Sequence, residues 1–169
     1  MLARMKALLV SSLLAFAPVA ALAAGPVAIG QNGGKSGQWT AAAYGHGADK
    51  VCYAFTRVQS SSPDLQSRGK VLLTVSERAH AHNEVSVNAG YVYPHDAKAT
   101  LTVGNQTFPF YTQHSTAFTT AGDQAVAAFK IANSASFVGP DPHGHGQVTD
   151  VFSLDGFSDA YKMIVQACQ

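Results

Sequence analysis

The sequence predicts a mainly β, single-domain, β-sandwich-like fold with one or two short α-helices, the last at the C-terminus. Three observations lead there. Short runs alternate apolar and polar residues, Gly, Pro, Asn and Asp punctuate them, and the chain closes on a strand, an Asp-Gly turn and an amphipathic helix. Short strands separated by Gly/Pro turns favour a sandwich over a parallel α/β sheet.

The first residues read as an address. Arg4 and Lys6 form a positive region, Ala7 to Ala17 an apolar one, and Ala21-Leu22-Ala23 a small-residue cleavage site. Residues 1–23 are therefore expected to be a cleaved signal peptide of the general secretory type, because no Arg-Arg pair precedes the apolar run. That run is shorter than the roughly 20 residues that span a bilayer, and nothing later approaches that length. The mature protein is expected to be periplasmic or secreted, with no membrane span. Residues 24–37 read as a flexible Gly-rich leader, and 38–169 as one β-rich domain. Gly33-Gly-Lys-Ser36 is not a phosphate-binding loop: the first glycine of that motif falls on Ile29, and no strand precedes it.

Each element follows from its local pattern. Gln38 to Tyr44 is a short first strand. Val51 to Val58 alternates, with Val51, Tyr53 and Phe55 on one face and Cys52, Ala54 and Thr56 on the other. Ser60 through Gly69 is a polar loop. Lys70 to Ser76 and Glu84 to Tyr93 are the next strands, the second stopped by Pro94. Thr100–Val103 and Gln106–Tyr111 form a hairpin across Gly104-Asn105, a pair suited to a type II′ turn. Pro109 has no ladder donor, so its strand is an edge or ends there. Ala125, Val126, Ala128, Phe129 and Ala132 recur at helical spacing within Asp123–Ala132, behind a Gly122-Asp123 start. Strand character resumes at Phe137-Val138, and 139–146 is a loop. Val148, Asp150, Phe152 and Leu154 share one face of the closing strand. Phe157, Tyr161, Ile164 and Cys168 then form one stripe of the last helix, ending at a cysteine.

Two cysteines in an exported chain point to one structural bridge, Cys52–Cys168; the alternative is two buried thiols. By loop entropy such a bridge contributes about 4–5 kcal/mol at most.

Histidines are the first candidates for chemistry, with seven in the chain. His80-Ala-His82 on a strand places both imidazoles on one face, and His143-Gly-His145 sits in a loop that can fold over a cation. These four are the candidate metal ligands, for zinc, copper or nickel, although a zinc site needs three or four ligands and the sequence offers only pairs. The plainer expectation is solvated loop and edge histidines, and no cofactor. No catalytic residue is nominated: there is no G-x-S-x-G elbow, and Asp155 and Asp159 suit a turn and a helix start. Asp150 differs, being a carboxylate on an otherwise apolar face. If buried it must be paired, so it reads as a structural strut, alongside Trp39 and the turn residue Gly156. Net charge is +1 with no basic run, which argues against nucleic-acid binding.

Trp39, Val51-Cys52-Tyr53 and the ending Thr149-Asp-Val-Phe-Ser-Leu-Asp-Gly-Phe-Ser-Asp-Ala-Tyr161 through Cys168 resemble the invasion-associated locus B family. The resemblance covers Gln38 to Cys168. It implies export by alphaproteobacteria, a β-sandwich-like fold and no established enzymatic activity, with a role in host-cell entry for the namesake in a few pathogens. Family members carry a cysteine four residues after the Trp where this chain has Ala43, so a further disulfide is not implied. They favour basic or small residues where it has His143-Gly-His145. The expectation is an exported non-catalytic protein acting through contacts with an unidentified protein or envelope component, host-cell association included. The alternative is a periplasmic metal- or small-ligand-binding protein using the histidine loops.

Overall fold

The computed structural model describes residues 25–169; the expected signal peptide, 1–23, lies outside them. The strands are β1 (Val27–Ala28), β2 (Lys35–Ser36), β3 (Trp39–Tyr44), β4 (Val51–Ser62), β5 (Leu72–Arg78), β6 (Ala81–Asn88), β7 (Lys98–Val103), β8 (Gln106–Gln113), β9 (Thr116–Phe118), β10 (Ser134–Pro140) and β11 (Gln147–Ser153). Two helices, α1 (Gly122–Phe129) and α2 (Phe157–Ala167), complete the set.

Strand pairing runs β4-β5-β6-β9-β8-β7-β10-β11 and back to β4, so eight antiparallel strands form a closed barrel. This corrects the expected sandwich. Both architectures bury one face of each strand, so alternation alone cannot separate them; the difference is whether the outer strands pair. Here β4 closes the circuit by changing partners along its length. Val51–Arg57 pairs with β5, and Val58–Ser62 pairs with β11. Val151 faces Ser60 while Phe152 faces Val58, a bulge that leaves Gln59 over and bends the strand. β3 occupies the same edge of β4 below β11, pairing Trp39 with Thr56 through to Tyr44 with Val51. The indole Nε1 of Trp39 donates to the Ser153 carbonyl at 3.0 Å and fixes the joint between β3 and β11.

Gln147–Ser153 keeps the expected alternation, burying Val148, Asp150 and Phe152. Gly104, at φ +58°, supplies the positive φ of the first position of its hairpin turn. Pro109 lies where β8 is paired with β7 alone; β9 joins only from Tyr111 onward. The segment expected as a flexible leader is instead held on the wall: Val27 and Ala28 pair with Ala43 and Ala42, and Lys35 and Ser36 with Thr40 and Trp39.

α2 lies against the buried face of β3, β4 and β5, and α1 against β6 and β7. Ring contacts join them: Phe157 meets Trp39 at 4.8 Å and Phe129 at 5.3 Å, both edge-on. All three rings are essentially fully buried, each contributing about 1.5–3 kcal/mol by removal from water. The start of α1 has no side-chain cap; Asp123 instead accepts a bond from Asn83 Nδ2 at 2.7 Å. Before α2, Gly156 sits at φ +83° with Ser36 O only 2.0 Å from where a Cβ would be. Only glycine fits there, because the backbone is left-handed and another chain segment touches it.

Candidate functional site

Asp150 projects into one end of the barrel, where the chain supplies what a buried carboxylate requires. Arg68, from the β4–β5 connection, donates Nη1 to Oδ1 at 2.8 Å and Nη2 to Oδ2 at 2.7 Å. The Ser61 hydroxyl donates to Oδ1 at 2.7 Å. Arg68 Nε donates to the Ala89 carbonyl, and its guanidinium lies 5.0 Å from the centre of the Tyr91 ring. Side-chain exposure is 7% for Arg68 and 2% for Asp150, so this charge pair is desolvated and closed on itself.

Tyr91 and Tyr93 roof the pair, with ring centres 5.3 Å apart. Tyr91 donates its hydroxyl to the Pro140 carbonyl at 2.7 Å. Burial pushes the Tyr91 phenol up to about 12; Asp150 and Asp141 push the same way, and Arg68 opposes them. Tyr93 is raised further, by burial first and then by Tyr91 and Asp150. Its hydroxyl is buried without a hydrogen-bond partner, the one such side-chain atom among the described residues.

Around this plug the connections crowd four exposed histidines. His95 lies between β6 and β7, His114 between β8 and β9, and His143 and His145 between β10 and β11. His95 and His114 line one cleft of about 350 Å³ together with Val92, Tyr93 and Pro94. Gly144 leans on the same Pro94. The His143–His145 loop is shaped by Asp141, whose Oδ1 accepts the N–H of His143 at 2.8 Å and of His145 at 3.2 Å. Desolvation pushes the Asp141 carboxyl up, but the N–H groups of His145, His143 and Gly144 outweigh it and hold it below its usual range.

The other nominated pair lies elsewhere. His80 sits in the β5–β6 turn rather than on a strand, beside the N-terminal end of β4, while the 141–146 loop sits beside its C-terminal end. The two pairs are thus separated by roughly 35 Å of extended strand and share no site. His82 faces Glu77 Oε2 at 2.9 Å, and that buried carboxylate also accepts the Asn83 N–H at 3.0 Å. Among the described residues, no three His, Cys, Asp or Glu side chains converge as a metal would require.

At that same lower end Cys52 and Cys168 form a disulfide with Cα atoms 5.9 Å apart. Lys50 Nζ donates to the Ala167 carbonyl at 2.6 Å and ties the end of α2 to the start of β4.

Sequence reasoning missed Arg68, Glu77, Val92, His95 and His114. The signal for Arg68 was present: a carboxylate on a buried face demands a cation, and this is the arginine that falls in a loop rather than on a strand. Val92, 64% exposed, was assigned to a strand that in fact stops at Asn88.

Two comparisons bear on identity, and no curated protein matches the chain. The crystal structure of invasion associated protein B from Bartonella henselae is similar at a TM-score of 0.59 and 14% identity, covering 79% of this chain and 95% of that one, which shows a shared fold. The family model for invasion associated locus B (IalB) protein matches residues 39–165, the barrel together with nearly all of α2. On that match over most of its length, the chain belongs to the invasion-associated locus B family.

Proposed function

We propose that this chain is an exported, non-catalytic member of its family that acts by presenting the histidine-bearing end of its barrel to a protein or envelope component, host-cell surfaces included. The carrying observation is Val92, a large apolar side chain 64% exposed on the connection that crosses this end. Scattered apolar residues are ordinary on a surface, but here the neighbours are clefts on both sides and polar loops around them. The buried carboxylate beneath this end is committed elsewhere: Asp150 is held by Arg68 and Ser61. Export rests on the N-terminal pattern, and no helix of the described residues is long and apolar enough to cross a membrane.

The test is site-specific photocrosslinking in intact cells, with the reactive group at Val92 or at His145, and at the exposed Ile131 beyond α1 for comparison. The reading requires one and the same partner from the first two positions and not from the third. Adducts that do not depend on position would overturn it. N-terminal sequencing of protein from the periplasmic fraction or medium checks export, with a start just after Ala23 expected.

A metal-binding reading uses the same end: His95 and His114 share a cleft, and His143 and His145 stand beside it. Zinc, copper or nickel retained in stoichiometric amount after dialysis of untagged protein would favour it.

A further inference from the structure

We propose that a cleft on the barrel wall, beside the β4 bulge, binds the uronic-acid units of an acidic glycan, with Arg57 taking the carboxylate and Phe55 the sugar ring. The cleft shares no lining residue with those at the histidine-bearing end and stands apart from the reading of that end.

The cleft exists because of the seam. β3 pairs with β4 as far as Thr56 and β11 pairs with it from Val58 onward, so the two strands that share this edge leave Arg57 between them. The bulge then leaves Gln59 unpaired, a device that re-aims side chains out of strict alternation. The result is an opening of about 180 Å³ whose lining includes Gln38, Thr40, Phe55, Arg57, Gln59 and Ser153. Its walls are fixed from behind. The buried Thr56 hydroxyl donates to the Gln38 carbonyl at 3.0 Å, the Gln38 N–H donates to the Asp155 carbonyl at 3.0 Å, and the Trp39 indole holds Ser153. Walls ordered in advance lose little freedom when a ligand arrives.

Charge narrows the ligand. Among the described residues Arg68 pairs with Asp150 and Arg78 with Glu84, whereas Arg57 is exposed and makes no ion pair. A guanidinium keeps its charge at any working pH, and its planar fork matches a carboxylate. No Asp or Glu lines the cleft, and the Asp155 carboxylate packs against Gly37 outside it. A free amino acid would therefore leave its ammonium group unpaired there. A phosphate monoester brings about −1.5 to −2 charges at neutral pH and would meet one guanidinium in the lining. A single carboxylate is the anion that balances it.

The rest of the lining selects a sugar. The side chains of Gln38, Gln59, Thr40 and Ser153 both donate and accept, as ring hydroxyls do. Phe55, its ring centre 6.0 Å from that of Tyr53, is apolar ground for the C–H face of a pyranose. The opening is smaller than the roughly 300–1,000 Å³ that enclose drug-sized ligands, and suits one sugar ring. Lys35 on β2 lies opposite Thr40, so a second cation stands one strand outward for the carboxylate of a neighbouring unit.

The experiment is an NMR titration of the mature protein, read at the side-chain amides of Gln38 and Gln59, the Arg57 Nε–H and the Trp39 indole N–H. Probes are methyl glucuronide, short oligogalacturonate and short oligomannuronate; methyl glucoside, methyl-esterified oligogalacturonate and inorganic phosphate are the comparisons. At least one uronate should bind saturably, with a Kd of about 1 mM or tighter, and move those signals together. Removing the charge, as in the glucoside or the ester, should weaken binding at least about tenfold, since the hydrogen bonds to a charged group go with it. Arg57→Gln should have the same effect, and Arg57→Lys should recover only part because the fork is lost. Phe55→Leu should weaken every uronate, and Lys35→Gln the oligomers alone. Arg78→Gln, at the opposite end of the β4–β5 ladder, should change nothing. Arg57, Lys35 and Arg78 are exposed, so their variants should melt with the parent protein. No saturation by any uronate below about 10 mM, equal binding of the uncharged comparisons, phosphate bound as tightly, or uronate binding that survives Arg57→Gln would each overturn the proposal.

Discussion

Arg68 and Asp150 meet through two parallel hydrogen bonds inside the barrel, although 82 residues separate them in the chain. The pair joins the β4–β5 connection to β11, the strand that closes the circuit. Removing one partner leaves the other charged and buried. Arg68→Met should destabilise the protein by about 3–5 kcal/mol. Arg68→Met with Asp150→Leu should recover most of that loss, because a matched apolar pair has no stranded charge. Urea unfolding followed by fluorescence of Trp39, the only tryptophan, measures both.

Alkaline pH should loosen the same end. The Tyr91 phenol lies at about 12 in the folded protein against 10.0 ordinarily, chiefly through burial, and Tyr93 is raised as well. A folded-state value above the unfolded one means that folding favours the protonated phenol. Its contribution is complete below about pH 10 and is lost as pH rises toward 12. Unfolding midpoints should therefore fall across that window, and Tyr91→Phe should flatten the fall. The same variant gives up the bond to Pro140, at a cost of about 1 kcal/mol at neutral pH. An undiminished alkaline slope in Tyr91→Phe would count against this assignment.

Reduction should open the other end. The intact mass of the mature chain should rise by two hydrogens on reduction, and the reduced form should lose up to about 4–5 kcal/mol by loop entropy. Lys50 and the buried stripe of α2 should keep the helix docked in part, so Cys168→Ser is expected to fold but to melt earlier. An unchanged mass after reduction would exclude the Cys52–Cys168 bridge.

Gly156→Ala should cost more than the roughly 1–2 kcal/mol usual for a side chain in a left-handed backbone. The added Cβ meets Ser36 O, which is main chain and cannot swing aside. Gly156→Asn discriminates the two causes. Asparagine tolerates the conformation but not the contact, so it should be no better than alanine in thermal melts.

Much of this was readable in the chain, and the exceptions share a cause. Val148–Leu154 declared its buried face, Asp150 its need for a partner, and the stripe from Phe157 to Cys168 its helix, because each signal is local. Ser60–Ser62 looked like loop, yet it is the end of β4. Its serines are strand residues because Ser61 turns inward to Asp150 and β11 supplies the ladder, neither of which a short window contains. β9, three residues long, is likewise a strand only by virtue of β6 and β8 on either side. Barrel closure is a pairing between distant segments and leaves no periodicity to read. The candidate site was half legible for the same reason. His143 and His145 stood out as a pair, but His95 and His114 join them only once three connections reach one end of the barrel.

The change of partners along β4 also sets an order of events. Residues 58–62 enter the chain early, yet their mates on β11 come about ninety residues later, and Cys52 waits still longer for a cysteine that is second from the end. Contacts so far apart are slow to form. Until they do, half an edge of β4 offers bare N–H and C=O groups to any passing strand. The seam of the barrel is thus sewn last, and its earliest-made lip is the stretch that most needs shielding in the meantime.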